Sequence, residues 1–302
     1  MLDRISRALW LGMLGALTLA GPAGAETLES RLNSVIAGVP GQVWLYARNL
    51  DTGREIGVRA DERVRTASTI KLPIACALAR EVAAGRARWD ERLAIRAESK
   101  VSGSGVLSEL TSGETISLRD AMTLMIIVSD NTATNLILDR IGADTVNDYM
   151  DELKLTATRS MRKIRGDGTQ LKPAEGWSRT GREPGNERFG IGASTPREMV
   201  QLLERLERGE IIDRASSDLL LDVLKRQQYK DGIGRRAADL PVASKSGALD
   251  ALRSDVGIVY TPQGRIAMAI TIDGLPEIDY SPDNVAQQTI WQMSQLLITE
   301  LH

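Results

Sequence analysis

Ser68 and Lys71 stand three residues apart at the head of an apolar run, Leu72-Pro73-Ile74-Ala75-Cys76-Ala77-Leu78-Ala79. At helical spacing they share one face, so the lysine amine can reach the serine hydroxyl. A serine at a helix N-terminus also meets converging backbone N–H groups that favour developing negative charge. Pro73 is compatible with a first helical turn, where its missing donor costs little. Together these features describe an activated nucleophile. The spacing alone is weak evidence: Ser160 and Lys163 repeat it, and there it reads as a cap and a surface lysine.

Other ways of activating a nucleophile are poorly served by this composition. The chain has 302 residues and one histidine, His302, in the last position. A Ser-His-Asp triad, a Cys-His pair or a histidine-built zinc site would have to use that terminal residue. A hydrolase built from this chain therefore takes a lysine or a carboxylate as its base, and no metal or cofactor is expected. The single cysteine, Cys76, excludes an internal disulfide and reads as core. A formal charge of −2 gives no reason to expect nucleic acid as a partner.

The residues that could do chemistry need elements to hold them. Hydrophobic patterning predicts helices over 26–37, 68–84, 117–128, 132–141, 145–153, 195–208, 216–225 and 285–301. Strands are predicted over 42–49, 55–59, 242–247, 253–260 and 265–273. Two strands near one chain end and three near the other imply one antiparallel sheet built from both, an α/β (α+β) fold. The helix over 117–128 is apolar nearly all round and delivers Ser129-Asp130-Asn131 at its end. Polar residues there must be hydrogen-bonded or line a cleft. Ser102-Gly103-Ser104-Gly105 reads as a flexible connector. Over 157–193 no period emerges, and loops of that length are functional or mobile.

The first 25 residues are laid out as a secretory signal peptide. Arg4 and Arg7 precede an apolar stretch, Ala8 to Ala20, and Ala23-Gly24-Ala25 offers a small-residue cleavage site. Cleavage after Ala25 is expected, with an uncleaved anchor as the alternative. The product is then a periplasmic or secreted monomer without stable membrane insertion. The remaining chain is expected to divide into a discontinuous sheet domain, 26–65 with 213–302, and a helical domain, 66–212.

Three motifs stand in order: Ser68-x-x-Lys71, Ser129-Asp130-Asn131 and Lys245-Ser246-Gly247. This set resembles the serine β-lactamase and penicillin-binding protein superfamily, and is most similar to the class A β-lactamases. The stretch Ser129 to Leu138, the Ser-Gly-Ser-Gly loop, Thr195-Pro196 and Arg253-x-Asp255 fall where that family has them. The resemblance implies a sheet domain packed on a helical domain with the cleft between. It makes Ser68 the acylated nucleophile, Lys71 its proton acceptor and Ser129 the relay to the leaving nitrogen. Asn131 would bind the substrate amide, Lys245 with Ser246 would hold its carboxylate, Arg253 would be a further substrate-binding residue, and the N–H groups of Ser68 and Ala248 would hold the oxyanion. Two lysines at one cleft also depress each other's pKa, which frees an amine to act as base.

One departure matters. The family's hydrolytic glutamate sits in an E-x-x-L-N motif before Thr195, and no such motif is present. The segment offers Glu175, Glu183 and Glu187, with Glu183-Pro184-Gly185-Asn186 the nearest likeness. The deacylating base is then Glu183 or another displaced loop carboxylate, Lys71 itself, or nothing. The expectation is an exported β-lactam hydrolase with slow deacylation and a role in antibiotic resistance. The alternatives are a cell-wall D,D-peptidase or transpeptidase acting on D-alanyl peptides, or a protein acylated by penicillin without turnover.

Overall fold

The computed structural model describes residues 26–165, 176–237 and 240–302. The expected signal peptide and Glu175 lie outside the described residues. The chain opens with α1 (Leu28–Ala37), the strands β1 (Gln42–Asn49) and β2 (Glu55–Val58), and a two-residue strand β3 (Val64–Arg65). A 3-10 turn over Ala67–Ile70 runs into α2 (Lys71–Ala83). A small ribbon, β4 (Arg92–Ala94) and β5 (Thr115–Ser117), precedes α3 (Leu118–Ile127), α4 (Asn131–Ile141) and α5 (Ala143–Glu152). Short strands β6 (Arg159–Ser160) and β7 (Gly192–Ser194) flank the patternless segment. Then come α6 (Pro196–Arg208), α7 (Arg214–Lys225), β8 (Val242–Leu249), β9 (Leu252–Thr261), β10 (Gly264–Asp273) and α8 (Val285–Glu300).

The main sheet has the order β2-β1-β10-β9-β8, and its neighbours pair antiparallel. This is the expected sheet built from both chain ends. Side chains alternate across it with period two. On β10, Ile266, Met268, Ile270 and Ile272 enter the core that contains Ile290 and Leu297 of α8. Ala267 and Ala269 face the other way, and their small size lets the helical layer approach. Each large aliphatic side chain so buried stabilises the fold by roughly 1.5–3 kcal/mol.

The helical layer shares one continuous core with that second face, from Leu72 and Met125 through Leu203 to Val256 and Ile258. The helix α6, placed in the helical domain by the sequence division 66–212, packs on β1, β9 and β10. Packing therefore has no break at residue 212. As edge strand, β8 leaves one side of its backbone free, and it lies against the 3-10 turn that carries Ser68.

Candidate active site

Ser68 is half-buried in the 3-10 turn rather than in the first turn of α2. The reason is local: Ala67 is held at φ +46°, a left-handed conformation that a non-glycine residue adopts at a cost of about 1–3 kcal/mol. The turn is fixed from two sides. Thr66 N–H donates to the Gly192 carbonyl at 3.1 Å. On the β8 side, a Cβ added to Gly247 would stand 3.0 Å from Ser68 N and 3.0 Å from the Thr66 carbonyl. Only glycine lets the strand approach the nucleophile's backbone so closely.

Lys71 is fully buried. Its Nζ donates to the Ser129 carbonyl at 2.6 Å, the Ser129 hydroxyl at 3.0 Å and Asn131 Oδ1 at 2.9 Å. Burial holds its pKa well below the usual lysine value, the positive charge of Lys245 lowers it further, and Asp130 opposes both. An amine that gives up its proton readily can act as a base, and the Ser129 hydroxyl can then donate to it instead.

Ser129 is itself left-handed, at φ +54°. Two neighbours hold it there. Asp130 caps α4, accepting from Ala133 N at 2.8 Å, while its second oxygen takes Val106 N at 2.6 Å and Leu107 N at 2.8 Å. Asn131 donates from Nδ2 to the Ser102 carbonyl at 3.0 Å, and its own N–H donates to the Ser104 carbonyl at 2.9 Å. The Ser-Gly-Ser-Gly stretch is thus no slack connector. A Cβ on Gly105, at φ +110°, would stand 2.3 Å from the Asp130 carboxyl, and one on Gly103 would stand 2.8 Å from Asn131 Nδ2.

Lys245 closes the arrangement from β8. It is fully buried and donates to the Ser246 carbonyl at 2.7 Å. Burial brings its pKa down to about 7, against the attraction of Asp255. Ser246 is half-buried and Ala248 exposed at the outer end of the strand. A buried amine bonded to Ser129 and Asn131, and a second buried lysine on the strand that packs against the Ser68 turn, thus flank one half-buried serine.

Proteins of the same build are known. The Beta-lactamase enzyme family model matches residues 27–301. The chain belongs to the beta-lactamase enzyme family. Within it, Beta-lactamase L2 of Stenotrophomonas maltophilia is 30% identical over 236 residues, which cover 74% of this chain and 70% of that one. A β-lactamase of Streptomyces cellulosae is 27% identical over 294 residues, 90% of this chain and 88% of that one. Among solved structures, a β-lactamase from Sphaerobacter thermophilus superposes with a TM-score of 0.76 at 29% identity, covering 90% and 95% of the two chains. PBP-A superposes at 0.73 with 27% identity, covering 90% and 94%.

Against the family pattern, two expected residues stand differently. Arg253 is buried beneath the β8–β9 turn, its guanidinium donating to the carbonyls of Leu249, Leu252 and Asp279 and lying 4.5 Å from the Tyr280 ring centroid. It braces that turn, with its guanidinium engaged by main-chain carbonyls. Glu183 is exposed, and Asn186 Nδ2 donates to it at 3.2 Å. Lys71 takes no carboxylate partner among the described residues, so Glu183 is not joined to the network around it.

Ser160 and Lys163 part company. The serine is fully buried in β6, and the lysine pairs with Asp139 at 2.5 Å. Sequence reading missed the connection after α7, whose composition carries no periodic signal. Gln227 donates to the Ile126 carbonyl at 2.9 Å, Gln228 N–H to that of Ile127 at 3.0 Å, and Ile233 N–H to Asp255 at 2.9 Å. This segment ties the end of α3, just before Ser129, to the strand behind Lys245.

Proposed function

We propose that this chain is an exported serine hydrolase that opens β-lactams through an acyl-enzyme on Ser68. The observation that carries the reading is Lys71, a buried amine bonded to Ser129 and Asn131 and one turn from a half-buried serine. Neutral Lys71 takes the Ser68 proton as Oγ attacks the lactam carbonyl. Ser129, hydrogen-bonded to the same amine, returns a proton to the leaving nitrogen. The N–H groups of Ser68 and Ala248 hold the developing oxyanion, each donor lowering the barrier by ~3–4 kcal/mol. Lys245 and Ser246 hold the substrate carboxylate, and Asn131 keeps a free hydrogen-bonding capacity on each side-chain atom for the substrate amide.

Hydrolysis of the acyl-enzyme is the weak step in this reading. A general base contributes ~10²–10⁴-fold, and the carboxylate in the nearest sequence likeness to the missing motif, Glu183, stands in solvent. That observation also supports a second reading, a D,D-peptidase or penicillin-acylated protein. A PBP-A variant solved as an acyl-enzyme complex with penicillin G is 27% identical to this chain, with a TM-score of 0.74. Periplasmic or secreted location, and action as a monomer, belong to the same proposal. The test is intact-mass analysis of the mature protein after exposure to a β-lactam. One adduct is expected, absent in Ser68→Ala. An adduct that persists in Ser68→Ala overturns the assignment.

A further inference from the structure

Asp255 lies in the middle of β9, paired with Ser246 of β8 and Ile270 of β10. It is 1% exposed. Its side of the strand is covered by Ile233 and Gly232 of the post-α7 segment and by Ile290 of α8; a Cβ on Gly232 would stand 2.6 Å from Asp255 Oδ2. One carboxyl oxygen accepts from Ile233 N–H, and the other has no hydrogen-bond partner among the described residues. A buried carboxylate with an idle oxygen is unfavourable unless a charge compensates it.

Among the described residues, the charges that act on it are those of Lys245 and Asp231. Asp231, in the same segment, repels it; the neutral Gln287 of α8 stands beside Gly232, and Ile270 is its register partner on β10. Lys245 attracts it. The two form no direct ion pair, because Lys245 pairs with Val256 on the helical-layer face of the sheet while Asp255 occupies the other face. They act on each other through one thickness of dry strand, where charges are poorly screened.

Resting on the reading of Lys245 as carboxylate anchor, we propose that Asp255 is a positioning residue whose charge, on the opposite face of the strand pair, decides which of the two buried lysines carries the proton. With Asp255 ionised, Lys245 stays an ammonium. The ammonium in turn disfavours a second positive charge on Lys71, which therefore remains a free base. Burial lifts Asp255 to about 7 and lowers Lys245 to about 7, so the pair titrates together near neutrality.

Asp255→Asn keeps an oxygen for Ile233 N–H and removes the charge. The expected result is an alkaline limb of kcat/KM for carboxylate-bearing β-lactams that moves down by about one pH unit, roughly a tenfold loss at pH 8. A methyl ester of the same β-lactam should show no such shift. In a Lys245→Arg background the effect of Asp255→Asn should vanish, since guanidinium stays protonated unaided. Equal losses for acid and ester with no shift of the limb overturn the proposal and leave Asp255 a structural residue. If the variant does not fold, the Asp255 carboxyl carbon is followed by NMR in the wild-type protein. Titration in step with the alkaline limb supports the proposal, and a flat signal overturns it. A wild type that forms no adduct with acid or ester is a separate result: it defeats the functional reading, and the NMR titration then decides Asp255 alone.

Discussion

Along the cleft, Lys71, Asp130 and Lys245 are inaccessible and held by bonds of 2.6–3.0 Å. Across 176–194, Glu183 and Glu187 are exposed, and the one side-chain bond on Glu183 among the described residues is 3.2 Å long. The first region stores strain at Ala67 and Ser129 and over-determines it with neighbours on every side. The second is packed tightly at Gly181 and Gly192, but the part that carries Glu183 and Glu187 turns on Gly185 and Gly190, with nothing close enough to clash with a side chain. Pre-organised groups stabilise a transition state, whereas a mobile or solvated carboxylate contributes little. On the reading proposed above, the contrast sets a pre-organised acylation side against a loop with less provision for releasing the acyl group.

The sharpest way to break that contrast is at Lys71. Lys71→Met keeps the buried volume but removes the amine, and acylation should slow by ~10²–10⁴-fold, read as the rate of adduct formation. Adduct formation at the wild-type rate would show that the buried network is not the base. In the wild type, acylation should rise as pH climbs through the depressed pKa of Lys71. For carboxylate-bearing substrates it should then fall above about 7, as Lys245 loses its proton.

Two glycines sharpen the comparison in stability. Gly105→Ala meets the Asp130 carboxyl and an adverse φ together, and should cost about 2–5 kcal/mol in urea unfolding. Gly185→Ala meets only the adverse φ of +84°, and should cost about 1–2 kcal/mol. Equal costs would mean that the two regions are equally tight. The smallest effect is expected at Ser160→Ala. The Ser160 hydroxyl is buried without a hydrogen-bond partner among the described residues, so its removal should change stability by less than about 0.5 kcal/mol, or raise it. Adduct formation should be untouched.

The proposed acylation residues were legible in sequence because they sit at or within patterned elements. Lys71 and Ser129-Asp130-Asn131 fall at helix boundaries that hydrophobic pattern and caps mark, Lys245 falls inside β8, and all five strands of the main sheet were visible. What was not legible depends on contacts across the chain. The strands β3, β6 and β7 are too short to show a period. The 3-10 turn at Ser68 replaces a helical start because Ala67 is pinned between Gly192 and Gly247. Arg253 points into main-chain carbonyls of the β8–β9 hairpin and of Asp279, the last of which only the folded 275–282 connection supplies. Asp255 gave no sign of being a charge buried behind Lys245, since its cover comes from a segment without pattern.

Rapid mixing of the mature protein with a chromogenic cephalosporin, followed in parallel by intact mass, tests the contrast most directly. The account predicts a burst of one equivalent, a slow steady state and a trapped adduct on Ser68. Glu183→Gln, if that carboxylate is the displaced base, should lower the steady rate and leave the burst intact. Rapid turnover with neither burst nor adduct would contradict the account, because it would require an efficient catalytic base in the loop.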